Sequence, residues 1–126
     1  MPSPTDCQFT DSHEWFRVEG DVVTVGITQF AANELTDITW VDLKPQGSTI
    51  AAGDTIGEVE SVKTTSDVYS VFGGEIIEIN ESATADPALL NSDPFGAGWL
   101  VKLRSSGGDT DGLLDQSAYD AKYPLD

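Results

Sequence analysis

Turn signals recur about every ten residues along this chain, so the runs between them suit only short strands and short helices. The stretch "EWFRVEGDVVTVGI" has β-forming residues on both sides of Glu19-Gly20-Asp21, which predicts a hairpin with Gly20 in the turn. "ITWVDLK" at 38–44 predicts a strand closed by Pro45 and Gly47. "GSTIAAGDTIGEVES" alternates short apolar pairs with Gly47, Gly53 and Gly57, the pattern of compact β-structure with tight corners. "DVYSVFGGEIIEIN" predicts two strands broken at Gly73-Gly74, and "GWLVKLR" at 98–104 a last strand. Three helices are predicted around them. "TQFAANELT" is capped by Thr28, with Ile27, Ala31 and Leu35 four apart. "PALLNSD" has Asp86 as cap and Pro87 at its first position. "LLDQSAYDAKY" has Leu114, Ala118 and Ala121 on its apolar side. The expected architecture is an all-β sandwich or barrel with small peripheral helices, in one domain over 1–126. Its parts are a polar lead at 1–8, a β core at 9–104, a flexible connector at 105–112 and a C-terminal helix at 113–123.

Charge narrows the partners. Six cations against 22 carboxylates leave a net charge of −16. Lys44, Lys63, Lys102, Lys122, Arg17 and Arg104 are too scattered to build a phosphate-binding patch, so nucleic acid is excluded, and an anionic membrane surface is disfavoured. Partners with basic faces are favoured, in a salt-dependent way. The N-terminus has no basic region followed by an apolar one, and no run approaches a membrane span. A cytoplasmic location is expected.

Most chemistry-bearing groups are accounted for as ordinary structure. Cys7 is the only cysteine and His13 the only histidine, and their spacing specifies neither a zinc site nor a nucleophile–base pair. "DTDGLLDQSAYD" puts Asp109, Asp111 and Asp120 at the first, third and twelfth positions of a calcium loop. Leu113 and Leu114 stand where such a loop needs an oxygen ligand and a glycine, so no metal site is expected. "FGGEI" lacks the lysine and following helix of a phosphate cradle. Trp15, Trp40 and Trp99 are expected in the core or at its edge.

Lys63 is the exception. A chain this poor in cations places it among Glu58, Glu60 and Asp67. A weak surface ion pair accounts for it, and so does a point of covalent attachment. Ser61-Val62-Lys63-Thr64 lacks Asn-Gly or Asp-Gly, so local composition alone predicts no tight turn there.

Longer motifs separate the two readings. "SHEW" at 12–15, "VGITQFA" at 25–31, "VDLKPQGSTIAAGD" at 41–54, "ESVKTTSDVYS" at 60–70, "GGEIIEIN" at 73–80 and "DPALLNSDPFGAGWLVKL" at 86–103 occur in this order. In these, the chain resembles the H-protein family of the glycine cleavage system over residues 9–122. The resemblance implies a barrel-sandwich hybrid, the lipoyl-domain hammerhead, with Lys63 at the tip of a hairpin and a C-terminal helix. It implies lipoate in amide linkage to Lys63, in a carrier that is not itself an enzyme. Such a carrier takes an aminomethyl group from glycine decarboxylase to aminomethyltransferase and is reoxidised by dihydrolipoyl dehydrogenase. It implies a monomer that these three enzymes and the lipoate attachment enzymes recognise. Ser12, Glu14 and Asp67 match the family's aminomethyl-lipoyl cleft. Glu60, Ser61 and Gly74 match the surroundings that the attachment enzymes read. Val62 and Thr64 flank the lysine where a biotin carrier has methionines. Thr36 stands where the family usually has glycine. Two alternatives remain, a lipoyl donor to other lipoyl-dependent proteins and an enzyme with a Schiff-base lysine. The acids around Lys63 work against the second, which needs a depressed lysine pKa.

Overall fold

The computed structural model describes residues 4–108 and 112–124, with the backbone alone at 106–108. Among the described residues, nine strands and four helices follow one another as β1 (Gln8–Phe9), β2 (Glu14–Glu19), β3 (Val22–Ile27), α1 (Gln29–Leu35), β4 (Ile38–Leu43), β5 (Thr49–Ile50), β6 (Thr55–Ser61), β7 (Thr65–Tyr69), β8 (Phe72–Ile79), α2 (Glu81–Ala85), α3 (Leu89–Ser92), β9 (Val101–Gly108) and α4 (Gln116–Lys122). They form two antiparallel sheets. One has the order β1-β2-β3-β9-β8-β5 and the other β4-β6-β7. Val23, Val25, Ile76 and Leu103 from the larger sheet meet Val41, Ile56, Val59 and Val68 from the smaller in one apolar core. Period-two alternation puts the intervening polar residues on the outer faces, so the inward face of each strand is set by sequence.

The β2–β3 hairpin forms as the sequence predicts, with Gly20 at φ 64 in the turn. Thr28 caps α1 by accepting from the Ala31 amide at 3.2 Å. Elsewhere the expected boundaries move. The strand break between β7 and β8 falls at Ser70-Val71, whose hydrogen bonds pair Ser70 with Phe72, and Gly73-Gly74 lie inside β8 at a bulge. The last strand begins at Val101 and continues past Arg104 to Gly108, so 105–108 is strand and not connector. The rest of that connector, at 109–111, lies outside the described residues. The second predicted helix shortens to α3 with Ala88 at its cap, and α2 was not foreseen. Cys7 is buried and Gln8 is paired, so the N-terminal lead is partly core. Trp15 is fully buried, but Trp40 stands on the outer face of the small sheet at 55% exposure, and Trp99 lies outside any strand.

Thr36 ends α1 at φ 64, ψ −141. A β-branched residue in that region stores strain that glycine would not. Thr36→Gly is expected to stabilise the protein by about 1 kcal/mol, read as a higher midpoint in urea.

The C-terminal helix docks through a second, aromatic cluster. Tyr119 is buried against Phe9, Trp15 and Cys7, and its ring stacks on Phe9 at 4.7 Å. Ala118 and Ala121 are exposed, and Leu114 forms a β-bridge to Phe9 ahead of the helix. Tyr119, not the alanine stripe, is the anchor.

Candidate functional site

The β6–β7 hairpin carries Lys63 at its tip. The register runs Val59↔Ser66 and Glu60↔Thr65, leaving Ser61 to Thr64 to close the turn. Ser61 closes it where composition predicted no tight turn. Its amide donates to the Thr64 carbonyl at 2.8 Å, and its hydroxyl accepts from the amides of Lys63 and Thr64 at 3.3 and 3.2 Å. One serine hydroxyl thus does the work of an Asn-Gly pair. Glu60 accepts from the Thr65 hydroxyl at 3.1 Å across the strands, tying the hairpin just below its tip. Val62, beside the lysine, is 72% exposed.

Lys63 itself is exposed. The ion pairs among the described residues are Arg17–Asp6 and Lys122–Asp11, so Lys63 is not the surface ion pair that its acidic neighbours suggested. Its primary amine sits on a short, tied hairpin, open to solvent.

Ser12 and Glu14 come together directly. The Ser12 and Thr10 hydroxyls both donate to Glu14 Oε1, Thr10 at 2.6 Å, and the Tyr69 amide donates to Oε2 at 3.2 Å. Glu14 is only 2% exposed. Burial raises its carboxyl above the ordinary range, and the Ser12, Thr10 and Tyr69 donors pull it back down. A carboxylate has roughly four acceptor positions, so Oε2 keeps one for a further donor. Because β7 is the edge of its sheet, the Tyr69 amide is free to face Glu14 rather than another strand. Asp67 joins less directly: it accepts from the Tyr69 hydroxyl at 3.5 Å. Asp67 and Tyr69 lie four and six residues beyond Lys63, at most about 13 and 20 Å along the strand. Thr10 and Tyr69 were missed from sequence. Tyr69 was findable, since it stands two residues beyond Asp67 on the same face of β7.

Asp67 also faces Glu58, which faces Asp42, in a row of carboxylates across the small sheet. The row lines a groove of about 370 Å³. Like charges directly opposite one another destabilise a sheet, and Lys44 also lines this groove.

Gly74 lies in the other sheet from the lysine hairpin. It is paired in the larger sheet with Ile50 and Ser105, at φ 148. A Cβ there would sit 2.0 Å from the Arg104 carbonyl oxygen, so the close approach of β9 explains the glycine.

Cys7 and His13 bond different partners. The Cys7 thiol donates to Asp6 at 3.6 Å, and burial pushes it up to about 12, which makes it a poor nucleophile. His13 bonds Tyr119 instead. No cluster of metal-ligating side chains occurs among the described residues, although Asp109 and Asp111 lie outside them. No described helix is long and apolar enough to cross a membrane.

Two small sheets closed over one core, with a lysine at the tip of a protruding hairpin, define a barrel-sandwich hybrid. The chain belongs to the glycine cleavage H-protein family, whose sequence model matches residues 7–124. It is 45% identical over 122 residues to the glycine cleavage system H protein of Bacteroides thetaiotaomicron, covering 96% of this chain and 97% of that one. To the protein of the same name from Bacteroides fragilis it is 43% identical, with the same coverage. The crystal structure of a glycine cleavage system H protein from Mycobacterium marinum superposes with a TM-score of 0.89 at 40% identity, covering 98% of this chain and 100% of that one.

Proposed function

We propose that this chain is the lipoyl carrier of glycine cleavage, with lipoate in amide linkage to Lys63. The observation that carries this reading is the outward, unpaired amine at the tip of a hairpin tied by Ser61 and Glu60, in a chain of this family. Lipoate supplies the disulfide and dithiol chemistry that the protein's one buried cysteine does not. The chain's own residues hold, present and shelter the group and are not themselves catalytic. Glycine decarboxylase, aminomethyltransferase and dihydrolipoyl dehydrogenase act on it in turn, after a lipoate attachment enzyme has acylated Lys63. The carboxylate row suits docking by basic faces, so salt is expected to weaken these encounters. A cytoplasmic, monomeric carrier fits this role. Peptide mapping of protein isolated from its native host tests the assignment: the lipoyl increment belongs on the peptide containing Lys63, and an unmodified Lys63 in an active preparation overturns it.

Ser12, Glu14 and Asp67 form the cleft that receives a loaded aminomethyl group. The open acceptor position on Glu14 suits an ammonium donor, and charge-assisted hydrogen bonds are the strong ones. Glu14→Gln keeps the shape and removes the charge. It is expected to speed decay of the aminomethyl adduct about tenfold, since a hydrogen bond to a charged group contributes about 1.5–3 kcal/mol. An unchanged decay rate in this variant removes the cleft and leaves the carrier.

Donation of the lipoyl group to other proteins uses the same lysine and is the second reading. Transfer of label from this chain onto an unlipoylated acceptor domain distinguishes it.

A further inference from the structure

The cleft residues alternate with residues gripped by the C-terminal helix. Ser12 and Glu14 bond each other, while Asp11 and His13 reach the other way. The Lys122 ammonium and the Tyr123 hydroxyl both bond Asp11 Oδ1 at 2.9 Å. Tyr119 bonds His13 Nδ1 at 2.8 Å and Thr28 Oγ1 at 2.7 Å. The His13 ring also packs against Tyr123 and Phe30, each at 4.6 Å between centroids.

One arrangement of the protons satisfies both Tyr119 bonds. Thr28 Oγ1 already accepts from the Ala31 amide, so its hydroxyl proton is free to go to Tyr119. Tyr119 then donates to His13 Nδ1, which accepts through its lone pair. This requires a neutral imidazole protonated at Nε2. Burial favours the neutral ring, against the opposing pull of the Glu34 and Asp11 carboxylates.

The segment needs such a hold. His13 sits at φ 72, where a residue with a side chain is uncommon and persists only if its surroundings fix it. Its amide donates to the Thr10 carbonyl, and its carbonyl accepts from Thr28. The backbone set at His13 fixes where the Glu14 side chain begins.

We propose that Tyr119 is a positioning residue: through His13, the strained residue, it clamps the 11–13 segment and so aims the Glu14 carboxylate at the edge of β7. The C-terminal helix is then part of the cleft's support, although it contributes no residue to the cleft. The effect on a carried group rests on the cleft reading above. The clamp itself is testable without any lipoyl group.

The Tyr69 amide is the reporter, because it donates directly to Glu14 Oε2. In the full-length, unlipoylated protein, Tyr119→Phe removes the hydroxyl and keeps the stacked ring. The Tyr69 amide proton is expected to move upfield and to exchange about tenfold faster with solvent, the cost of a weakened bond to a charged acceptor. The amides of Val59 and Leu103, in the middle of the two sheets, are expected to keep their rates. His13→Asn is the second variant, since asparagine tolerates positive φ but cannot reach Tyr119 in the same way. It decides the matter if Tyr119→Phe fails to fold, and the same local response is expected. An unchanged Tyr69 amide in the folded variant overturns the clamp, as does a rise in exchange shared equally by Val59 and Leu103. If Tyr119→Phe moves the Tyr69 amide but Glu14→Gln leaves adduct decay unchanged, the cleft reading falls and the clamp stands.

Discussion

Lys63→Arg is expected to give a folded protein that accepts no lipoyl group and supports no glycine cleavage. The substitution keeps the positive charge and a long flexible stem, and the site is exposed, so stability is expected to change by less than about 0.5 kcal/mol. The turn does not depend on the side chain, because Ser61 holds the backbone amides of residues 63 and 64. Acylation, however, needs an amine that gives up its proton to become a nucleophile. A guanidinium stays protonated at any working pH and does not become that nucleophile. Intact mass after incubation with an attachment enzyme should show no lipoyl increment, and glycine-dependent reduction of NAD in the reconstituted system should fall to background. The variant also separates carriage from folding. Lipoylation at Lys44, Lys102 or Lys122 with retained turnover would mean that the hairpin tip is not the tether. Loss of folding would mean that Lys63 is structural.

Short strands, glycine corners and inward alternation were legible because each is a local rule. The β2–β3 hairpin announces itself through Glu-Gly-Asp, and Thr28 through its place ahead of an apolar period. The lysine hairpin was legible only through the longer motifs, because its turn is closed by a side-chain hydroxyl that composition does not register. The strand at 105–108 was hidden for another reason. "SSGG" reads as linker, but its partners are Phe72, Gly73 and Gly74, so backbone pairs with backbone where there is little side chain to read. Tyr119 was missed as the helix anchor because its pocket is built by Phe9 and Trp15, about a hundred positions earlier. No periodicity within α4 carries that information. The same holds for Glu14: its burial depends on an amide of β7, and nothing near residue 14 shows that β7 is an edge strand.

Gly74 shows how one residue supports two explanations that differ in outcome. A matching motif makes it part of the surroundings read by the attachment enzymes, whereas the coordinates place it in the other sheet. There it lies beneath β9, with the Arg104 carbonyl 2.0 Å from where a Cβ would stand. That contact is with backbone in the middle of a ladder, so it cannot be relieved by a rotamer change. The φ of 148 adds strain for any residue with a side chain. Gly74→Ala is therefore expected to destabilise the protein by about 3 kcal/mol or more, combining overpacking with a disfavoured backbone region. Urea denaturation reads the loss as a lowered midpoint at unchanged slope. The two explanations then part. If Gly74 serves the sheet, the fraction that stays folded is lipoylated at the wild-type rate, because the β6–β7 hairpin and its Ser61 turn are intact. A variant of normal stability with slow lipoylation reverses that conclusion and returns Gly74 to the attachment enzyme.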